Sequence, residues 1–347
     1  MSLKLALIGF GNVGQEFARL LLSKREWLRG AVGLDVEVLT IATRTRGSLT
    51  ARNALDLERV LRERESLGTV EGYGPESTGL STLEIIESCD ADIMVELTPL
   101  DIDAGQPAID YIKAAFDAGL NVITANKGPL AFAYRELKSM AQSRGLHFKF
   151  EGVVMDGTPV FRLVEKTLPG CEITGVAGIL NSTSNFVLSE MALGRSMEEA
   201  LDEAKGRGIT EADPSMDIDG WDAAVKITAL ANVLMDARST PKEADVTGIG
   251  DIDLENVMKA ALEGKKLKPL ARAERVGGEV RTRVRPELVG PENPFWSVDG
   301  TSSAITLETD LMGEITLIER NPTLAQTAYA IFSDMLIVAQ SICEIKI

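Results

Sequence analysis

The first 150 residues alternate between two apolar rhythms. Short, nearly continuous apolar runs at 3–8, 34–42, 91–95, 120–125 and 146–150 have the length and composition of buried strands. Between them, apolar residues recur every three to four positions at 51–64, 83–88, 104–118 and 130–144, the period of a helix with one covered face. In 104–118, for example, Ala108, Ile112, Ala115 and Phe116 fall on one side. Residues 68–79, with four glycines and Pro75, predict a loop. Strands alternating with helices predict an α/β fold with a parallel, doubly wound, Rossmann-type sheet, whose ligands sit beyond the carboxyl ends of the strands.

After residue 150 the rhythm changes. The turn-rich stretch 151–159 predicts a junction. A strand at 172–180 is followed by the small polar cluster Asn181 to Asn185 and an apolar helix at 186–193. The cluster suits a helix cap or the lining of a ligand crevice. Ser196 and Glu199 form a capping-box pattern, and Gly206 and Gly208 close that helix. A mostly apolar helix starts at Trp221, and short strands at 281–285, 304–308 and 314–318 predict a mixed sheet. The division this suggests is a dinucleotide-binding domain at 1–152 and a second, α+β domain at 153–310 for substrate and dimerisation. A segment at 311–347 then returns to the first domain and carries an amphipathic helix at 324–342.

Charge and composition narrow the choice of partner. The chain has 36 basic against 52 acidic residues, a net −16, which argues against nucleic acid or an anionic membrane. No apolar run reaches 18 residues and the chain opens directly into a strand pattern, so neither a membrane span nor a signal peptide is expected. Cys89, Cys171 and Cys343 lack metal spacing, which fits a reduced, cytoplasmic setting. His147 is the single histidine, so histidine acid–base chemistry and multi-histidine metal sites are nearly excluded.

The first strand runs into Gly9-Phe10-Gly11-Asn12-Val13-Gly14, and Val13, Phe17, Leu20 and Leu21 continue at helical spacing. In a dinucleotide site Gly9 makes the tight turn, Gly11 admits the pyrophosphate and Gly14 allows close helix–strand packing. Asn12 and Val13 open the helix whose free N–H groups face the phosphates. Without a ligand the same pattern is a glycine-rich turn in an α/β domain. The second strand ends not in the acid expected for NAD but in Thr43-Arg44-Thr45-Arg46. Arg44 there suits the extra phosphate of NADP, with NAD as the alternative cofactor; otherwise it is a solvated loop charge. Thr98 and Lys127 stand at two further strand ends. Lys127, set between Asn126 and Gly128-Pro129, is read as facing cofactor or substrate rather than as an exposed loop charge.

The densest chemistry lies at 204–226, where Glu211, Asp213, Asp217, Asp219 and Asp222 precede Lys226. Asp222 and Lys226 are spaced i,i+4 on one helical face. As a plain surface pair they would add about 0.2–0.5 kcal/mol to helix stability. Beside a dinucleotide site they spell hydride transfer, in which a carbonyl oxygen must gain a proton. With histidine unavailable, Lys226 is the natural proton donor, tuned by Asp222 and partial burial. Glu211 and Asp217 would bind a substrate ammonium, making the partner a polar, cationic small molecule.

The run Ala204…Gly208-Ile209-Thr210…Asp213-Pro214…Asp217-Ile218…Gly220…Asp222…Lys226 resembles the signature of homoserine dehydrogenases. The resemblance extends over nearly the whole chain, through GFGNVG at 9–14, ELTP at 96–99, ANKGPLA at 125–131, EGVVMDGTPVF at 151–161 and GILNSTSNF at 178–186. It implies reduction of L-aspartate 4-semialdehyde to L-homoserine with NAD(P)H, and the reverse, within threonine and methionine biosynthesis. It implies Lys226 as proton donor, Lys127 close to cofactor and substrate, and Glu211, Asp217 and Asp222 around the amino acid. It also implies a monovalent cation such as sodium, held largely by carbonyl oxygens of the segment with Glu151, Val154, Asp156 and Thr158, and a homodimer. The chain stops at residue 347 without the regulatory extension some members carry, so threonine feedback through such a domain is not expected. It departs from the family pattern at Ser182, usually glycine, and at 319–323, where ERNPT replaces a glycine-rich turn. Two alternatives remain: the same build acting on another amino or hydroxy acid, and a nucleotide-binding relative with impaired catalysis.

Overall fold

A computed structural model describes residues 1–74, 76–210 and 212–345. The chain divides into two compact units: Met1–Pro129, Ala133–Pro159 and Thr323–Ile347 in one, Leu130–Phe132 and Val160–Pro322 in the other.

The first unit runs β1 (Ser2–Ile8), α1 (Asn12–Trp27), β2 (Asp35–Ala42), β3 (Ser48–Thr50), α2 (Leu57–Leu67), α3 (Thr82–Ser88), β4 (Ile93–Glu96), α4 (Ala108–Asp117), β5 (Asn121–Thr124), α5 (Lys127–Phe132), α6 (Tyr134–Ser143) and β6 (Phe148–Lys149). Among the described residues the sheet order is β3-β2-β1-β4-β5-β6. Every pairing is parallel except that of β3 with β2. This is the predicted doubly wound sheet with one antiparallel edge. Leu3, Leu5, Leu7, Ile93 and Val95 are fully buried, as expected for strands covered on both faces.

Two predicted helices are corrected. The helix expected at 51–64 starts at Leu57, because Ala51 and Leu55 donate their N–H groups to Leu39 and Val38 of β2 (2.9 and 2.8 Å). Asp56 then caps α2 by accepting from the Arg59 N–H at 3.1 Å. The helix expected at 130–144 begins at Lys127 and breaks at Ala133, whose φ of −140° lies outside the helical region. The helix Leu324–Ile342 also belongs to the first unit. Its Ala328, Ile331, Phe332, Met335 and Val338 share one core with Leu3, Phe17 and Leu21. Thr323 and Gln326 form a reciprocal capping box at its start.

The second unit runs α7 (Val160–Thr167), β7 (Ile173–Ile179), α8 (Ser182–Ala192), α9 (Met197–Gly206), α10 (Ser215–Ile218), α11 (Trp221–Leu234), β8 (Asp245–Val246), α12 (Leu254–Leu262), β9 (Lys266–Val276), β10 (Glu279–Val289), β11 (Ser303–Thr309) and β12 (Gly313–Glu319). Its sheet order is β12-β11-β7-β9-β10-β8, antiparallel except for β10 with β8. Its longest strands form the hairpin β9–β10, turned by Gly277 and Gly278 at φ of 60° and 90°, the backbone that a two-residue hairpin favours. Only 281–285 of that hairpin is expected from the apolar pattern. Helices α11 and α8 pack on this sheet, and Ala223–Val225 and Ile227–Asn232 of α11 are buried.

Candidate active site

In the first unit the predicted cofactor residues gather at the carboxyl ends of β1, β4 and β5. Gly9 leaves β1 with φ of 100° and donates its N–H to the Ala42 carbonyl at 2.8 Å. A Cβ on Gly9 would lie 2.5 Å from the Leu97 carbonyl oxygen, and one on Gly14 would lie 2.9 Å from that of Gly9. Both glycines are therefore explained by packing. Gly11 is not. Its φ of −77° suits any residue, and a Cβ there would meet nothing within 4 Å. Open space beside a glycine that the fold does not need is a cradle for something that approaches the backbone closely. No side chain caps α1 and no acid lies in its first turn, so Asn12 and Val13 present bare N–H groups. These features fit a dinucleotide pyrophosphate.

Arg44 is exposed in the loop after β2 and has no hydrogen-bond or ion-pair partner among the described residues. Its neighbour Arg46 is engaged, with its guanidinium on the Gly68 carbonyl at 3.1 Å. Thr98 follows β4, and Asn126, just past β5, donates its side-chain amide to the Thr98 carbonyl at 3.0 Å. Asn126 also caps α5 by accepting the Gly128 N–H at 3.0 Å, which sets the backbone of half-buried Lys127. Still in the first unit, Glu151, Val154, Asp156 and Thr158 lie in one tight segment. Glu151 donates its N–H to Asp334 at 2.8 Å, and Asp156 accepts the Thr327 hydroxyl at 2.9 Å. Met155 and Asp156 sit consecutively at φ of 53° and 50°. Left-handed backbone at such a residue costs about 1–3 kcal/mol. Among the described residues no three His, Cys, Asp or Glu side chains form a metal-binding group, so a cation here would rely on carbonyl oxygens.

The second unit gathers the predicted catalytic pair. Lys226 donates to Asp222 at 2.9 Å and to the Leu180 carbonyl at 2.7 Å, with both charged side chains largely covered. Asp217 lies on the single turn α10. One side chain to which the sequence reading gave no specific role, Asn181 of the polar cluster, joins these acids. The Asn181 amide donates to Asp217 at 2.6 Å and to Asp222 at 3.0 Å, while its carbonyl oxygen caps α8 by accepting the Ser184 N–H at 2.8 Å. Thr210 adds a hydroxyl to Asp217 at 3.2 Å. The signal for Asn181 was its place at a strand end ahead of a helix. Glu211 lies outside the described residues. In the altered 319–323 stretch, Asn321 adopts φ of 47°, which asparagine tolerates, and accepts the Thr301 hydroxyl at 3.3 Å.

Residues 159–336 match the family model "Homoserine dehydrogenase", and residues 9–151 match "Homoserine dehydrogenase, NAD binding domain". The chain belongs to the homoserine dehydrogenase family. An NAD(+)-dependent homoserine dehydrogenase of Pseudomonas canavaninivorans is 34% identical over 97% of this chain and 96% of its own. The homoserine dehydrogenase of Methanocaldococcus jannaschii is 35% identical over 95% and 96%. A hyperthermophilic archaeal homoserine dehydrogenase solved with NADPH superposes with a TM-score of 0.83 at 28% identity, covering 98% of each chain. The protein is thus an oxidoreductase with an NAD(P)-binding domain of Rossmann type, as its strand–glycine–helix opening predicts. Among the described residues no helix is long and apolar enough to cross a membrane.

Proposed function

We propose that this homoserine dehydrogenase interconverts L-aspartate 4-semialdehyde and L-homoserine, with Lys226 exchanging the proton on the substrate oxygen. The observation that carries this reading is the Lys226–Asp222–Asn181–Asp217 network. Asp222 holds the ammonium of Lys226 in place, and the Leu180 carbonyl fixes its direction. When bound, a nicotinamide cofactor would supply or accept the hydride. As the aldehyde carbon is reduced, negative charge grows on its oxygen, and Lys226 neutralises it by giving up a proton. Asp217 and Glu211 bind the substrate ammonium, so the second unit carries the substrate groups. Lys127 serves both cofactor and substrate.

Gly9, Gly11, Asn12, Val13, Gly14 and Thr98 hold the cofactor. Arg44, exposed and without a partner among the described residues, would take a 2′-phosphate, which supports NADP over NAD. The relative from P. canavaninivorans is named as NAD(+)-dependent and the archaeal one was solved with NADPH, so the choice is a property of each chain. The strained turn at Met155 and Asp156 supports a monovalent cation held by carbonyl oxygens of the 151–158 segment. The working form is a cytoplasmic homodimer; a monomeric mass by light scattering would remove that part.

Purified protein mixed with aspartate 4-semialdehyde should oxidise NADPH faster than NADH. Folded protein that turns over neither cofactor would overturn the reading. Turnover only with substrates that lack an ammonium group would reassign the acids at 211 and 217.

A further inference from the structure

Glu96 ends β4 after three buried apolar residues, Ile93, Met94 and Val95, and is itself fully buried. No step of the chemistry above uses it. It pairs in register with Ile8 of β1 on one side and Thr124 of β5 on the other, one residue short of Gly9. A buried carboxyl is costly unless its oxygens are satisfied. Here they are satisfied from the turn that follows its own strand and from the end of β5 at once. One oxygen accepts the Thr98 N–H at 2.8 Å and the Thr98 hydroxyl; the other accepts the Thr124 hydroxyl at 2.7 Å.

The links continue outward. The Thr124 oxygen accepts the Asn126 N–H at 2.9 Å, which leaves its own proton for Glu96. Asn126 then reaches back to the Thr98 carbonyl and forward to the Gly128 N–H, both at 3.0 Å. One carboxyl therefore ties together the turn that carries Thr98 and the turn that carries Lys127. Burial raises the Glu96 carboxyl above the usual carboxylate range, and the Thr98 and Thr124 donors oppose that shift.

In a doubly wound sheet of this order, β1 and β2 carry the phosphate and adenosine contacts, while the strands from β4 onward face the second mononucleotide. We propose that Glu96 is a positioning residue for the nicotinamide half of the cofactor, holding the β4 and β5 turns in one register without touching the ligand. This rests on the reading of the first unit as the NAD(P) site, and it separates two functions within that unit. The glycine turn grips the cofactor, and the Glu96 cluster aims its reactive end.

The test compares whole and truncated cofactor. Glu96→Gln keeps the shape but turns an NH2 group toward groups that are themselves donors. Binding of NADPH and of adenosine 2′,5′-bisphosphate, which lacks the nicotinamide mononucleotide half, is measured by calorimetry on wild type and variant. The expected result is a rise of about tenfold or more in the NADPH Kd, since small misplacements of a held group are costly. The truncated ligand should stay within about twofold, because its contacts lie elsewhere. Thr124→Val, which removes the hydroxyl's two links to Glu96 and to the Asn126 N–H and keeps the volume, should move the same ratio in the same direction and decides the matter if Glu96→Gln does not fold. Equal losses for both ligands, or no change in either, would overturn the proposal. Wild-type protein that binds neither ligand would instead sink the reading of the first unit, and the proposal with it.

Discussion

The two candidate ligand-facing regions are built from different materials. The turn after β1 works with backbone and empty space: Gly11 has an ordinary φ and nothing for a Cβ to strike, so its identity answers to something outside the fold. The acidic region of the second unit works with side chains that already hold one another, with Asn181 bridging Asp217 and Asp222, and Asp222 holding Lys226. A change in the first region should remove a ligand and leave the fold. A change in the second redistributes hydrogen bonds among charged groups, so it touches chemistry, binding and stability together.

Four measurements would break or sharpen that contrast. The largest effect belongs to Lys226→Ala, for which kcat should fall about 10²–10⁴-fold, the range for loss of a general acid, with the cofactor KM nearly unchanged. A kcat within a few-fold of wild type would remove Lys226 from the chemistry. Next come two glycines a turn apart. Gly11→Val should raise the cofactor Kd by roughly tenfold or more without moving Tm, because it fills only ligand space. Gly9→Ala should lower Tm by about 4 °C or more, since it adds a clash to a left-handed backbone. Thermal melts in which both variants fall alike would erase the distinction.

Arg44→Ala should raise the KM for NADPH by about tenfold, the weight of one charge-assisted hydrogen bond, and leave NADH within about twofold. Equal losses for both cofactors would return Arg44 to the solvated loop. The smallest effect is expected at a pair far from any ligand role. Arg272 meets Glu287 in a two-pronged ion pair at 2.9–3.2 Å on the β9–β10 hairpin. Its loss in Arg272→Ala should cost about 1 kcal/mol, or roughly 2–4 °C in Tm, with kcat unchanged. A drop in kcat there would tie the hairpin to function.

The same contrast explains which parts of the molecule were legible in the sequence. Strands β1, β2, β4 and β5 are covered on both faces, so their runs are continuously apolar and stand out. The three-residue β3 is too short to leave a pattern, and its neighbour 51–56 mimics a helix start. In the second unit, β9 and β10 carry Pro269 and Pro286 directly opposite each other. A proline normally counts against a strand. Both are tolerated here because β7 pairs with β9 only at Ala271–Glu274 and β8 pairs with β10 only at Arg283 and Val284. The charged residues of this hairpin's partly buried ion pairs further dilute its apolar signal.

At the site, Lys226 and Asp222 were legible because i,i+4 spacing on one helix is a local fact. Asn181 was legible only as one of a polar cluster that caps a helix or lines a crevice. Its hold on Asp217 and Asp222 joins residues about 40 positions apart, and no local period encodes such a contact.

The helix Leu324–Ile342 has a consequence for how the protein is made. Its Ala328, Ile331, Phe332, Met335 and Val338 complete a core whose other side is laid down by Leu3, Phe17 and Leu21. A ribosome emits the strands of the nucleotide-binding sheet first, yet their apolar surface stays uncovered while the next 160 residues are synthesised. At translation rates of about 5–20 residues per second that interval lasts roughly 10–30 seconds. The intervening unit, drawn almost wholly from 160–322, has all its residues earlier and can fold while the first unit waits. Nascent chains of this protein therefore expose their stickiest surface before they can bind cofactor, and a ribosome stalled short of residue 324 would release a chain whose second unit is whole and whose first unit is open.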